Sequence, residues 1–197
     1  DNDLWQVALR AGLSPRRCLT PEQACEAAAP GEPVLLLADD YPRPTLEVDD
    51  DLLARCAAKG LRLYVEYPLR FPGIPFAEPA PAEWERVAVS SNFFVPQVEN
   101  LQILGVNGCW YLSTHTGETG ERPSFSVHLS LARIAGYDRA VFGLPENAVP
   151  ILIEIPQGPH PKAASAPPGG QEATSPATAS PRPAVLLATT SLSRFVT

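Results

Sequence analysis

Short hydrophobic runs recur along the chain, and polar or proline-rich segments separate them. Continuous apolar runs of this length are typical of strands that are covered on both faces of a sheet. Residues 110–113 are expected to extend or pair with a strand at 102–106, residues 139–142 to form a short strand, and residues 128–134 to be either a helix or a strand. The main strands are predicted over residues 34–38, 61–65, 86–89, 102–106, 149–155 and 184–188.

Helical signals lie in the first sixty residues. Residues 4–11 and 23–29 favour two short helices, and Thr20 and Pro21 supply an N-cap and a first-turn proline for the second. A third helix is predicted over residues 52–60, because three aspartates precede it and a glycine ends it.

The third helix connects two of the predicted strands, 34–38 and 61–65. A strand, a helix of about three turns and a second strand form a βαβ unit, whose strands pair in parallel through a right-handed crossover. The sequence therefore predicts an α/β domain with a mainly parallel sheet.

The last two predicted strands are separated by a long segment of different composition. Residues 157–183 contain no Val, Ile, Leu or aromatic residue and consist mostly of Pro, Ala, Gly, Ser and Thr. Such a segment cannot bury enough apolar surface to offset the entropy that ordering it would cost. We expect one domain over residues 1–197, with 157–183 as a disordered insertion in a C-terminal hairpin.

Composition narrows the possible partners. With 197 residues, 45% of them hydrophobic, the chain suits one domain with a sizeable core. The net charge of -7 argues against nucleic acid or an anionic membrane surface, since both need a basic face. No apolar run is long enough to cross a bilayer.

The four cysteines show neither a C-x-x-C pair nor a nearby histidine at metal-ligand spacing. We therefore expect no metal site. The sequence also has neither a P-loop nor a G-x-G-x-x-G fingerprint, so we expect no cofactor. The cysteines are predicted to be buried as small apolar residues, in preference to a disulfide or a metal role.

The first βαβ unit resembles a known layout. Val34 to Asp39, the turn Tyr41-Pro42-Arg43-Pro44, the acid-capped helix ending in Lys59-Gly60 and the strand 61–65 resemble class I glutamine amidotransferase-like domains of the trehalose-utilisation-like group. The run from Ala184 to Ser193 is similar to their last strand and its exit. The resemblance implies a three-layer α/β/α, flavodoxin-like fold. It also implies an accessory module, often without a working active site, in a bacterial glycoside hydrolase.

Polar clusters follow several of the predicted strands. In open α/β sheets, ligands bind beyond the carboxyl ends of parallel strands, so these clusters are the predicted ligand site. The alternative is that strand ends are polar because they meet solvent and cap the next helix. The candidate residues are Asp39, Asp40, Tyr41, Glu66, Tyr67, Ser91, Asn92, Thr189 and Thr190.

Two kinds of chemistry are conceivable for these candidates. Asp40 and Glu66 would serve as the paired carboxylates of a glycosidase if their separation were suitable, but the neighbouring prolines favour a turn role for Asp40 and a capping role for Glu66. Cys109 follows a glycine and would act as a nucleophile if His128 took its proton, but the bulky residues after it do not suit a strand-to-helix turn. The alternative for Cys109 is a core residue beside a turn.

The resemblance implies a non-catalytic, amidotransferase-like accessory domain of a larger carbohydrate-active protein, and the missing nucleophile motif agrees with that interpretation. Its expected partners are neighbouring domains of the same polypeptide, with a carbohydrate as a further ligand. The alternatives are a small-molecule hydrolase, acting through Asp40 and Glu66 or through Cys109, and an interaction domain without a pocket. The resemblance implies a periplasmic or extracellular location.

Overall fold

A computed structural model describes residues 3–105, 108–114, 125–156 and 184–193 of the chain. The predicted insertion at 157–183 and the last residue of the predicted strand 102–106 lie outside the described residues.

The three predicted helices are confirmed, and each observed end lies within two residues of the predicted one. They are α1 (Asp3–Arg10), α2 (Pro21–Ala27) and α3 (Asp50–Ala58). The Thr20 side chain accepts a hydrogen bond from the Gln23 backbone N–H at 3.3 Å, as an N-cap does. Asp49 caps α3 in the same way, through the backbone N–H of Leu52 at 2.8 Å.

A disulfide joins α2 to α3 through Cys25 and Cys56, whose Cα atoms are 6.0 Å apart. Both residues are buried, as predicted, but the prediction that they are free thiols was wrong. A separation of 31 residues without a motif gave no local signal of the pairing. Only the packing of the two helices brings the side chains within bonding distance.

Most of the predicted strands are present, several with shorter or shifted bounds. The structure has β1 (Pro33–Leu36), β2 (Arg62–Glu66), β3 (Ala80–Pro81), β4 (Arg86–Val89), β5 (Ile103–Leu104), β6 (Trp110–Tyr111), β7 (Ser126–Ala132), β8 (Val149–Pro156) and β9 (Ala184–Ala188).

The structure also tests the predictions for residues 110–113, 128–134 and 139–142. Residues 128–134 belong to a strand, β7. Strand β6 pairs with β3 rather than with the strand near 102–106. No strand forms over 139–142 in this described region, where Arg139 makes an isolated bridge to Gln102 and Phe142 is 88% exposed.

Within the described ranges, one seven-stranded sheet has the order β1-β2-β9-β8-β7-β4-β5. The pairs β1/β2 and β2/β9 are parallel, and the remaining four pairs in this sheet are antiparallel. The prediction of an α/β domain is confirmed, whereas that of a mainly parallel sheet was wrong. Parallel pairing of successive strands needs a crossover, which α3 supplies between β1 and β2.

Helices α2 and α3 cover one face of the parallel half of the sheet. Val34, Leu36 and Leu63 belong to a buried cluster that also contains Cys25 and Cys56 of α2 and α3. On β1, these buried side chains alternate with exposed ones, and Leu35 is 45% exposed. The expectation that strand 34–38 is covered on both faces was therefore wrong. The strand lies at the edge of the sheet, and its second face is open to solvent.

A second buried cluster lies on the antiparallel half. It contains side chains of β4, β7 and β8, and it includes Val87, Val89, Leu129, Leu131 and Ile151. Strand β9 lies between the two halves and contributes Val185 and Leu187 to the first cluster and Ala188 to the second. The sheet is therefore continuous although its core has two parts.

Candidate functional site

Three strands of the sheet, β1, β2 and β9, run parallel to one another. Their carboxyl ends therefore meet at one edge, which we call the strand-end edge. It carries seven of the predicted residues: Asp39, Asp40, Tyr41, Glu66, Tyr67, Thr189 and Thr190.

Ser91 and Asn92 lie at the opposite edge. They follow β4, and three successive antiparallel pairings, β4/β7, β7/β8 and β8/β9, make β4 run against β9. The prediction that these two residues join the other clusters was wrong, because it assumed that all the strands are parallel.

Glu66 is the central group of the strand-end edge, and it is completely buried. Among the described residues, its Oε1 accepts hydrogen bonds from the Tyr64 hydroxyl (3.0 Å) and from the backbone N–H groups of Leu192 (2.7 Å) and Ser193 (2.8 Å). Its Oε2 accepts from the Ala38 N–H (3.2 Å) and from the Ser193 hydroxyl (2.8 Å). The carboxylate thus ties β2 to the segments that follow β1 and β9.

This bonding gives Glu66 a structural role. A general acid or base must reach the substrate, but both oxygens of Glu66 are occupied and shielded from solvent. Asp40, by contrast, is exposed. The hypothesis that Asp40 and Glu66 are paired glycosidase carboxylates therefore loses its second member.

Tyr64 and Tyr67 remain neutral hydroxyl groups. Burial, together with the negative charge of Glu66, raises the pKa of Tyr64 well above its ordinary value. Burial also raises the pKa of Tyr67. The Tyr67 hydroxyl donates to the Pro42 carbonyl at 3.2 Å, and its ring packs edge-on against Tyr41 with centroids 4.9 Å apart. Tyr67 consequently holds the loop after β1 in place, whereas Tyr64 holds the Glu66 carboxylate.

The segment around β6 lies across the strand-end edge and closes it. The carbonyl oxygen of Trp110 accepts hydrogen bonds from the hydroxyls of Thr190 (2.7 Å) and Tyr41 (3.1 Å). The Trp110 backbone N–H also donates to Tyr41, and the N–H of Leu112 donates to the Thr189 carbonyl at 2.8 Å. Backbone therefore occupies the position beyond β9 where a ligand would lie in an open α/β sheet.

Cys109 belongs to this closing segment and is 1% exposed. Burial raises the pKa of its thiol, which opposes formation of the nucleophilic thiolate. Both ring nitrogens of His128 are bonded elsewhere, to Ser91 and Glu154. The Cys109–His128 pairing that a thiol mechanism requires is therefore not formed, and Cys109 is a core residue beside a turn.

A groove of about 620 Å³ lies beside the closed edge, and we call it the strand-end groove. Four of the side chains that line it are polar or aromatic: Asp40, Arg43, Glu78 and Trp110. The sequence analysis found only Asp40 among them. Arg43 stands in the Tyr41-Pro42-Arg43-Pro44 turn, but Glu78 lies in a proline-rich stretch with no signal to distinguish it.

At the opposite edge, Ser91, His128 and Glu154 form a chain of hydrogen bonds. Ser91 Oγ lies 2.8 Å from His128 Nδ1, and His128 Nε2 lies 3.0 Å from Glu154 Oε2. The sequence analysis missed Glu154. A signal was present, because Glu154 is the only charged residue in β8, a strand that is otherwise apolar.

The described residues show no group of three or more His, Cys, Asp or Glu side chains that would hold a metal ion. None of the described helices is long and apolar enough to span a membrane. Comparison with known protein families, with curated proteins and with solved structures found no match to this chain.

Proposed function

We propose that this chain is a non-catalytic, amidotransferase-like accessory module of a larger carbohydrate-active protein, and that it binds a sugar in the strand-end groove. The composition of that groove is the observation that carries the proposal. Trp110 offers an aromatic surface that is 37% exposed, and Asp40, Arg43 and Glu78 surround it.

The chemistry of these side chains suits a sugar. An indole ring packs against the C–H groups of a pyranose, while carboxylates accept hydrogen bonds from its hydroxyls and a guanidinium donates to them. The volume of the groove, about 620 Å³, lies within the range of small-molecule sites. Two or three sugar units would therefore be the appropriate ligand size.

The absence of chemistry at the strand-end edge is the second part of the proposal. It is supported by the structural roles of Glu66, whose buried carboxylate is fully hydrogen-bonded, and of Cys109, whose burial raises the pKa of its thiol. A disulfide between Cys25 and Cys56 suits a periplasmic or extracellular location, because disulfides persist in oxidising compartments.

Contact with a neighbouring domain is the third part. Leu35, Tyr64 and Leu186 are paired neighbours on β1, β2 and β9, so they share the face opposite α2 and α3. Tyr64 and Leu186 pack against the second buried cluster, whereas Leu35 at the sheet edge is 45% exposed. A three-layer arrangement would be completed if another domain of the same polypeptide covered this face.

Titration with a panel of disaccharides and trisaccharides, followed by NMR and by tryptophan fluorescence, tests the sugar site. Trp110→Ala and Asp40→Asn should each weaken binding at least ~10-fold, equivalent to about 1.4 kcal/mol. Trp84→Ala is the matched control, because Trp84 is 75% exposed and does not line the groove. Absence of binding to every sugar at millimolar concentration, or an equal effect of Trp84→Ala, would refute the proposal.

A further inference from the structure

The chain of hydrogen bonds at the opposite edge joins three structural elements. Ser91 lies just after β4, His128 lies on β7, and Glu154 lies on β8. These strands are neighbours in the sheet, with β7 between β4 and β8. The sheet therefore holds the imidazole between a hydroxyl and a carboxylate, at 2.8 Å and 3.0 Å.

The partners of His128 determine where its proton lies. An ionised carboxylate only accepts hydrogen bonds, so the nitrogen beside Glu154, Nε2, carries the hydrogen of the neutral ring. The lone pair of Nδ1 is then directed at the Ser91 hydroxyl. This tautomer is the one in which imidazole acts as a general base toward serine.

This Ser91–His128–Glu154 chain, which we call the relay, uses the two imidazole nitrogens in the reverse order from the chymotrypsin-type triad, in which the serine hydroxyl bonds to Nε2. The proton transfer does not depend on that order. It requires one ring nitrogen to accept the serine proton while the other donates to an acid, and both conditions hold for His128.

The surroundings protect the base and leave the hydroxyl accessible. His128 is 5% exposed, and the Phe93 ring stacks on it with centroids 4.2 Å apart. Ser91 is only partly buried. The backbone N–H of Phe93 donates to Ser91 Oγ at 3.2 Å, a contact that stabilises negative charge on this oxygen as the proton leaves.

We propose that Ser91 is a nucleophile that cleaves small carboxylic esters, with His128 as its general base and Glu154 as the positioning residue. Ser91 Oγ attacks the ester carbonyl carbon, and the hydroxyl proton moves to His128 Nδ1. The C–O bond to the alcohol breaks, and the alcohol leaves with that proton. Water then attacks the acyl-serine by the same route, which releases the acid and regenerates Ser91.

This site is independent of the proposed sugar site, which lies at the other edge of the sheet. The inference goes beyond the proposed function, and either of the two can fail alone. Trp110→Ala should leave reaction at Ser91 unchanged, and Ser91→Ala should leave sugar binding unchanged.

A fluorophosphonate probe on the full chain tests the inference. Ser91 Oγ would attack phosphorus and displace fluoride, and mass spectrometry would locate the label. We expect labelling at Ser91, none in Ser91→Ala, and normal labelling in Ser90→Ala. Ser90 is the matched control because its hydroxyl lies 2.7 Å from that of Ser130 instead of from a histidine.

The rate of labelling tests the relay. His128→Gln should slow it about 100-fold or more, the usual contribution of a general base. Glu154→Gln should slow it about 10-fold without changing the labelled residue or the melting temperature, a combination that a purely structural role would not give. A wild-type chain without a label on Ser91, or a rate unaffected by a folded His128→Gln variant, would overturn the inference.

Discussion

Replacement of Glu66 by glutamine should lower the free energy of unfolding by about 2–4 kcal/mol, although the two side chains have nearly the same shape. All the hydrogen-bonding groups that surround Glu66 in the described structure are donors: Ala38 N, Tyr64 OH, Leu192 N, Ser193 N and Ser193 Oγ. A carboxylate accepts from all of them. An amide must point its NH₂ group at some of them.

The magnitude follows from the better of the two amide orientations. If the NH₂ group replaces Oε2, the Ser193 hydroxyl turns to accept from it, and the Ala38 N–H is left unsatisfied. An orphaned buried N–H costs about 1–3 kcal/mol. The three bonds kept at the remaining oxygen lose their charge assistance, which adds a similar amount. The lower cost of burying a neutral group offsets part of this sum.

Urea unfolding followed by circular dichroism measures the effect, and an unchanged m-value shows that only stability has altered. The melting temperature should fall by about 5–15 °C for a domain of this size. Glu99→Gln is the control, because the Glu99 side chain is 69% exposed and pairs with Arg139 at the surface. That change should cost less than about 1 kcal/mol. If the two variants were equally stable, the structural role assigned to Glu66 would be wrong.

Two further predictions concern other cross-links of the fold. The double change Cys25→Ala and Cys56→Ala should lower the free energy of unfolding by about 3–4 kcal/mol, the value for a loop of this length. Peptide mapping without reductant tests the disulfide itself. Free thiols at both positions would contradict the prediction. A hydrogen bond from the Arg133 side chain lowers the pKa of Glu85 from 4.5 to about 2. The ionised Glu85 carboxylate therefore contributes its full stabilisation above about pH 5, and this contribution is lost as the pH falls toward 2. Glu85→Gln should destabilise the protein at pH 6 but not at pH 2, and an equal effect at both values in urea titrations would contradict this.

Local signals in the sequence were sufficient for the helices and for the first βαβ unit. The caps at Thr20 and Asp49 depend on residues within one helical turn, so they are legible without knowledge of the fold. The order of the strands in the sheet could not be predicted from the sequence. The pairing of β4 with β7 joins residues that are forty or more positions apart, and no pattern within either strand specifies that partner.

The same distinction applies to the candidate site. The polar residues at the ends of β1, β2 and β9 were found because strand ends are visible in the sequence. Their roles were not, since the burial of Glu66 depends on donors from residues 192 and 193. His128 was predicted as a base for Cys109, but its hydrogen-bond partners come from β8 and from the segment after β4.

The position of β9 has a consequence for the order in which the protein folds. This strand lies between β2 and β8, yet it follows both in the chain. A nascent chain shorter than residue 184 therefore holds two separate sheet fragments, each with an open edge that invites pairing with another molecule. The two fragments can join only when β9 inserts between β2 and β8, and such non-local contacts make folding slow. Translation speed before β9 thus determines how long those two edges remain unprotected.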